Sequence, residues 1–150
     1  MGKSALIVGA GAGLSSSLAF QCKNLGMHVA LAARDIGKLK SISEKTGASL
    51  HKCDASKIKD VNLLFEELDA KSGTPELVIY NPSSRLRGAI ETLNAEKTKE
   101  ALEVTCFGAF LVAQQAAKRM LARGSGSIFF TGASAGVKGF ANSSVFAMGK

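Results

Sequence analysis

Short apolar runs alternate along the chain with longer segments in which apolar residues recur at helical spacing. The runs predict buried strands over residues 5–8, 28–33, 48–53, 77–80 and 127–131. The segments predict helices over residues 15–25, 38–45, 58–68 and 97–123. Strands that alternate with helices of this length indicate βαβ units with right-handed crossovers. The predicted fold class is therefore α/β, a doubly wound parallel sheet.

The last predicted helix is apolar on more than one side. Leu102, Phe107, Phe110 and Leu111 cannot all face one sheet. A helix of this kind packs on a sheet with one face and on something else with the other. Two explanations stay open, which are a partner subunit and a later part of the same chain.

The first predicted strand passes directly into a glycine-rich turn, Gly9 to Leu14, and then into a helix. We expect Gly9 to permit the sharp turn, Gly11 to let the backbone approach a pyrophosphate, and Gly13 to let the helix pack closely on the sheet. The unpaired N–H groups of the first helical turn would then face an anion. The pattern predicts a nucleotide-binding βα unit, with an ordinary tight turn as the alternative.

Length and composition predict one domain, because 150 residues with 46% hydrophobic content can build a single core. The formal net charge is +7. The basic side chains are scattered over separate elements without interleaved aromatic residues, which favours solvated helix faces or a site for a phosphorylated small molecule. We therefore expect a small-molecule substrate and no nucleic-acid partner.

The cysteines and the apolar runs indicate in which cellular compartment the protein works and whether it binds a metal or a membrane. Cys22, Cys53 and Cys106 form no CxxC pair and no Cys/His metal spacing, so we expect no metal and mostly buried, reduced thiols. No apolar stretch reaches transmembrane length, and no signal-peptide core follows the first residues. These features predict a cytoplasmic protein with no membrane partner.

Several motifs in order make the chain resemble the N-terminal part of the short-chain dehydrogenase/reductase family, which uses NAD(H) or NADP(H). The glycine turn fits the family's Gly-x-x-x-Gly-hydrophobic-Gly pattern, except that Ser15 replaces the last glycine. Asp54 and Ala55 follow strand three like the acidic motif that meets the adenine. Asn81 keeps the second Asn of the Asn-Asn-Ala-Gly motif, and residues 131–136 match the segment after strand five.

The resemblance implies a Rossmann-type fold, with residues 1–150 forming an NAD(P)-binding domain that holds the first five of the usual seven strands. It implies that the chain continues beyond residue 150 in the full-length protein, which we expect to be a homodimer or homotetramer. The implied cofactor-binding residues are Gly9, Gly11, Ala12, Gly13, Leu14, Arg34, Asp54, Ala55, Asn81 and Lys150.

Arg34 indicates which cofactor the site prefers. An acidic residue at the end of strand two would accept a hydrogen bond from the ribose 2′-hydroxyl, whereas a guanidinium pairs with a 2′-phosphate. Arg34 stands at that position, with Asp35 beside it. We expect NADP(H) to be favoured over NAD(H), and the alternative is a surface arginine.

The catalytic pattern of the family is depleted. Lys150 stands at the position of the catalytic Lys, but Phe146, Ala133 and Thr105 occupy the positions of Tyr, Ser and Asn. Reduction of a carbonyl needs a proton on oxygen, and a phenyl ring has none to give. Other hydroxyls near the pocket are weaker acids than tyrosine, and they belong to Ser134, Ser143 and Ser144.

Two hypotheses remain. In the first, the protein is an NADP(H)-dependent oxidoreductase for an unknown carbonyl or alcohol substrate, similar to a divergent branch of the family with Phe in place of the catalytic Tyr. In the second, it is a non-catalytic NADP(H)-binding pseudo-reductase, which acts as a cofactor sensor or as a partner subunit. Loss of a positioned acid lowers rates by ~10²–10⁴-fold, so the two hypotheses differ measurably.

Overall fold

Five parallel strands form one sheet in the order β3-β2-β1-β4-β5. The computed structural model describes residues 3–150. The strands are β1 (Ser4–Val8), β2 (His28–Ala33), β3 (Ser49–Lys52), β4 (Leu77–Tyr80) and β5 (Ser127–Phe130). All five predicted strands are confirmed, and their ends shift by no more than about one residue.

Helices cover both faces of the sheet, because alternate residues of each buried strand point to opposite sides. The helices are α1 (Leu14–Asn24), α2 (Lys40–Thr46), α3 (Ile58–Lys71), α4 (Ala95–Leu102), α5 (Gly108–Arg123) and α6 (Ser144–Gly149). On one face, Ala5 and Ile7 of β1 pack in a cluster with residues of α1 and α2. On the other face, Leu6 and Val8 pack with α3 and α5. The doubly wound fold is thus confirmed.

The prediction of one continuous α-helix over residues 97–123 is wrong in its middle. A π-helical turn, Glu103–Phe107, separates α4 from α5. Within it, the Thr105 hydroxyl donates a 2.7 Å hydrogen bond to the carbonyl oxygen of Ala101. Such a side-chain bond to the preceding turn competes with regular helical geometry. The spacing of apolar residues does not reveal one extra residue within a helical turn, so the sequence pattern predicted a continuous α-helix.

The outer face of this long helical segment is exposed and aromatic. Phe107 and Phe110 are 41% and 55% exposed, and their ring centroids lie 6.2 Å apart. The prediction that the helix is apolar on more than one side is confirmed. Cys106 is also exposed here, whereas Cys22 and Cys53 are buried, so the expectation of buried thiols holds for two of the three cysteines.

Candidate functional site

A cavity of about 490 Å³ opens where β1, β2 and β4 end. Its position is the point where the strand order reverses, between β1 and β4. Crevices at such switch points are the usual ligand sites of open α/β sheets. The cavity is lined by Val8, Gly9, Ala10, Gly11, Ala12, Ala33, Arg34, Asp35, Lys38, Cys53, Asp54, Ala55, Asn81, Pro82, Ser83 and Val104.

The structure therefore brings seven of the ten predicted cofactor residues to one cavity. They are Gly9, Gly11, Ala12, Arg34, Asp54, Ala55 and Asn81. Gly13 and Leu14 begin α1 behind the turn, and the Leu14 side chain is 53% exposed. Lys150 lines neither this cavity nor the second one described below, but its ammonium lies 6.0 Å from the centroid of the Phe146 ring, which lines the second cavity.

The glycine turn depends on the left-handed backbone of Gly9, whose φ is +75°. Its N–H donates to the carbonyl oxygen of Ala32 at 2.9 Å, which ties the turn to the end of β2. A Cβ atom at Gly9 would lie 2.5 Å from the backbone nitrogen of Pro82. The predicted role of Gly9 in the sharp turn is thus confirmed, and the glycine also allows the segment after β4 to approach.

The main-chain N–H groups of Gly11, Ala12 and Gly13 donate no hydrogen bond within residues 3–150. Gly13 is the residue before α1, and no side chain caps this helix end. Unpaired N–H groups at a helix start carry partial positive charge and attract anions. A Cβ at Gly11 would meet nothing within 4 Å, so space for a ligand remains beside the backbone.

The role predicted for Gly13 is wrong. A Cβ at Gly13 would meet nothing within 4 Å, so this glycine makes no close contact between helix and sheet. The residue precedes α1 and faces open space. A close approach occurs instead at Gly108, where a Cβ would collide with the Tyr80 hydroxyl and with the carbonyl oxygen of Ala55 at 2.8 Å.

Ser15, which replaces the last glycine of the family motif, is a structural link. Its hydroxyl donates to the carbonyl oxygen of Gly9 at 3.3 Å and accepts from the Asn81 amide at 2.8 Å. Ser15 is only 2% exposed. The departure from the motif therefore joins the glycine turn to the end of β4.

Asp54 is held in a turn after β3. Its carboxylate accepts hydrogen bonds from the N–H and the hydroxyl of Ser56, at 3.0 and 2.7 Å. Burial by itself would raise the pKa of Asp54, but the Ser56 hydrogen bonds and the charges of Arg34 and Lys57 outweigh it and lower the pKa. Asp54 is therefore a carboxylate that Ser56 holds in place at the cavity.

Two cations stand together at the β2 end of the cavity. Arg34 and Lys38 both line it, and within residues 3–150 Arg34 has no ion-pair partner. Asp35 is occupied locally, because it accepts from the Gly37 N–H at 3.0 Å and lies 3.7 Å from the Lys38 ammonium. Lys38 was not predicted as a site residue. Its sequence signal is that of a second basic residue four positions after Arg34.

A second cavity, of about 400 Å³, lies where β5 ends, against the segment that follows β4. We call it the Phe146 cavity. The Asn81–Arg87 segment joins the two cavities, since its first residues line the larger one and its last residues line this one. The Phe146 cavity is lined by Arg85, Arg87, Ala133, Ser134, Ala135, Phe140, Ala141, Ser143 and Phe146.

The four residues at the family's catalytic positions differ in their contacts and in their access to a cavity. Lys150 donates from its ammonium to the carbonyl oxygen of Thr131 at 2.8 Å and lies 6.0 Å from the centroid of the Phe146 ring. Ala133 lines the same cavity as that ring. Thr105 is 4% exposed, and its hydroxyl is bonded to Ala101. Lys150 and Phe146 are thus neighbours, and Thr105 has no free proton to offer.

The electrostatics around Lys150 are unusual for a lysine. Burial, and then the positive charge of Arg85, lower the pKa of its ammonium group. The Arg85 guanidinium lies 4.5 Å from the centroid of the Phe146 ring. Two cations therefore approach one aromatic ring.

Three serine hydroxyls lie close to Phe146 in the chain or in space. Ser134 and Ser143 line the Phe146 cavity, and Ser143 donates to the carbonyl oxygen of Ala141 at 3.3 Å. The Ser144 hydroxyl is buried and has no hydrogen-bond partner within residues 3–150. The structure thus places two of the three predicted substitute hydroxyls at this cavity.

Within residues 3–150, no three His, Cys, Asp or Glu side chains are grouped so as to hold a metal ion. Among the described residues, no helix combines the length and the apolar character that a membrane crossing requires.

The sequence profile of the short chain dehydrogenase family matches residues 3–150. The chain belongs to this family. A farnesol dehydrogenase from Aedes aegypti is 27% identical over 129 residues, which cover 81% of this chain and 53% of that protein. The chain thus spans about half of the length of this curated relative.

Solved structures agree with the fold. A short-chain type dehydrogenase/reductase from Mycobacterium marinum matches with a TM-score of 0.93 at 25% identity, over 99% of this chain and 64% of that one. The structure of ElxO with NADP bound matches with a TM-score of 0.91 at 20% identity, over 99% of this chain and 62% of that one. These matches support the five-stranded Rossmann-type fold of this chain.

Proposed function

We propose that residues 1–150 form the cofactor-binding domain of an NADP(H)-dependent oxidoreductase that acts on a carbonyl or alcohol substrate. The observation that carries the proposal is the glycine turn, whose unbonded N–H groups at Gly11, Ala12 and Gly13 meet an open cavity at the switch point. A dinucleotide diphosphate is the anion that such a turn suits. One NADP-bound structural neighbour has the same fold.

The residues around the cavity would each bind a different part of the cofactor. The glycine turn from Gly9 to Leu14 would hold the diphosphate, and the Arg34 guanidinium with the Lys38 ammonium would hold a 2′-phosphate. Asp54 and Ala55 would border the adenine. Asn81 would keep the turn in place through Ser15, and Lys150 would hydrogen-bond the nicotinamide ribose.

The reaction needs a hydride and a proton. The nicotinamide cofactor, when bound, supplies the hydride for a carbonyl carbon or accepts it from an alcohol. Phe146 and Ala133 cannot move the proton at the oxygen, so we propose that water, the substrate itself or a hydroxyl such as Ser143 does so. The Lys150 ammonium lies 6.0 Å from the centroid of the Phe146 ring. It would stabilise negative charge that develops on the substrate oxygen.

Cofactor preference tests the role of Arg34. We expect the full-length protein to bind NADPH more tightly than NADH in calorimetric titrations. Arg34→Ala should weaken NADPH binding by about 10-fold to 100-fold, because charge-assisted hydrogen bonds to the 2′-phosphate are lost. NADH binding should change little. Lys118→Ala, an exposed cation on α5, is the matched control. Equal affinity of the unmodified protein for both cofactors would contradict this preference.

A second function is favoured by the catalytic positions themselves. Phe146 and Ala133 carry no acid, and the Thr105 hydroxyl is bonded to Ala101. A pseudo-reductase, which binds NADP(H) as a sensor or as a partner subunit, needs only the first cavity. Tight NADPH binding with background turnover on a panel of aldehydes, ketones and quinones would support it, whereas oxidation of NADPH by any of them would exclude it.

We extend the proposal to assembly and location. The exposed Phe107 and Phe110 are suited to burial in a homodimer or homotetramer of the full-length protein. Cys22, Cys53 and Cys106 are free thiols, which suits a cytoplasmic protein.

A further inference from the structure

The Phe146 cavity carries two arginines whose charges the protein leaves unmatched. Arg85 and Arg87 lie on the segment after β4, at opposite ends of a three-residue stretch, and both line the cavity. Within residues 3–150, neither side chain forms an ion pair or a hydrogen bond with a protein group. Of the described residues that line the cavity, none is Asp or Glu. Its charge is therefore positive and uncompensated.

The segment that carries the arginines is anchored across the cavity. The N–H of Gly88 donates to the carbonyl oxygen of Asn142 at 3.2 Å, and Asn142 has a left-handed backbone with φ of 57°. This bond joins the segment after β4 to the loop that precedes α6. The two walls of the Phe146 cavity are therefore connected by the backbone as well as by side chains.

Arg85 is also positioned by an aromatic ring. Its guanidinium carbon lies 4.5 Å from the centroid of Phe146, within the range of a cation–π contact. A guanidinium has five N–H donors in a planar fork, and contact with a ring leaves them available to an acceptor. The phenyl ring that cannot act as an acid thus serves as a platform for a cation.

We propose that the Phe146 cavity binds an anionic group of the substrate, a carboxylate or a phosphate, through Arg85 and Arg87. This inference rests on the proposed function, since it specifies the substrate class of that oxidoreductase as negatively charged carbonyl or alcohol compounds. A planar carboxylate or a phosphate matches the fork of an arginine in two parallel hydrogen bonds. The neighbouring Lys150 ammonium adds positive charge beside the cavity, while its own hydrogen bond goes to the carbonyl oxygen of Thr131.

The cofactor does not explain these arginines. Neither of them lines the first cavity, where the glycine turn and Arg34 lie. Residues 81–83 line that cavity and residues 85 and 87 line the next one, so a substrate anion held there would lie beside the cofactor cavity. The position suits a substrate group and leaves the diphosphate to the glycine turn.

The experiment compares matched charged and neutral probes on the full-length protein saturated with NADP⁺. Benzoate and phenyl phosphate are titrated by calorimetry against neutral benzamide, which has nearly the shape of benzoate. We expect at least one anion to bind roughly tenfold more tightly than benzamide. Arg85→Gln and Arg87→Gln should each remove about tenfold of that affinity, while Lys118→Gln should leave it unchanged. Preference for benzoate or for phenyl phosphate identifies the type of anion.

Several outcomes would overturn the inference. One is that benzamide binds as tightly as the preferred anion, and another is that the folded Arg85→Gln and Arg87→Gln variants bind that anion as tightly as the unmodified protein. Thermal unfolding checks the fold of each variant, and Arg87 provides a second test that does not disturb the Phe146 contact. Failure of the proposed function shows separately, as absent NADP(H) binding. The same probe titrations on cofactor-free protein then still test the arginines.

Discussion

The double substitution Phe146→Tyr and Ala133→Ser should raise the rate of NADPH-dependent carbonyl reduction by ~10²–10⁴-fold, the usual contribution of a positioned acid. Tyrosine restores a phenolic proton on a ring that already lies 6.0 Å from the Lys150 ammonium. A nearby cation lowers the pKa of a phenol and makes it a better acid at neutral pH. Serine at position 133 restores a hydrogen-bond donor for the developing oxyanion in the same cavity.

The measurement is loss of nicotinamide absorbance with a panel of aldehydes and ketones, using the full-length protein. Phe129→Tyr is the matched control, because Phe129 is 58% exposed and lines neither cavity. It adds a phenol outside the Phe146 cavity and should change the rate by less than about twofold. A folded double variant that binds NADPH and yet reduces no substrate faster than the unmodified protein would refute the proposed arrangement of the site.

Gly9→Ala should abolish measurable NADPH binding and lower the free energy of unfolding by roughly 2–4 kcal/mol. Two effects add, since a left-handed backbone costs a residue with a Cβ about 1–2 kcal/mol and a further steric cost follows from crowding. The new Cβ would lie 2.5 Å from the backbone nitrogen of Pro82. The turn must therefore move away from the segment after β4, and the N–H groups of Gly11 and Ala12 move with it.

Two glycine controls separate these effects. Gly47 has a φ of +72° and nothing within 4 Å of an added Cβ, so Gly47→Ala should cost only about 1–2 kcal/mol and leave NADPH affinity intact. Gly11→Ala meets nothing within 4 Å, so it should keep the stability but weaken NADPH binding where the ligand approaches the backbone. Chemical denaturation and calorimetry measure both quantities. A Gly9→Ala variant with unchanged stability and affinity would show that the turn is not the cofactor site.

The candidate site could be predicted from sequence where a motif is local. The glycine turn is one continuous stretch, and its strand, turn and helix were all found in place. Arg34 directly follows β2 and Asp54 lies two residues beyond β3, and both line the cavity because the carboxyl ends of parallel strands share one edge of the sheet. Lys38 was missed, since it lies within a short 3₁₀ turn, Gly37–Leu39, whose direction the sequence does not reveal.

The apolar runs by themselves determined the five parallel strands and the layered fold, most directly at β1, β2 and β4, because buried strands must be almost wholly apolar. The edge strands β3 and β5 are largely exposed. Only the tertiary structure decided the contacts between distant residues. The Asn81–Ser15 bond joins positions 66 residues apart, and the contact of Arg85 with the Phe146 ring joins the segment after β4 to α6. The tertiary structure also left Gly13 without a close contact between helix and sheet and placed Thr105 in a π-helical turn. Such contacts depend on how elements pack in space, which periodicity along one segment does not encode.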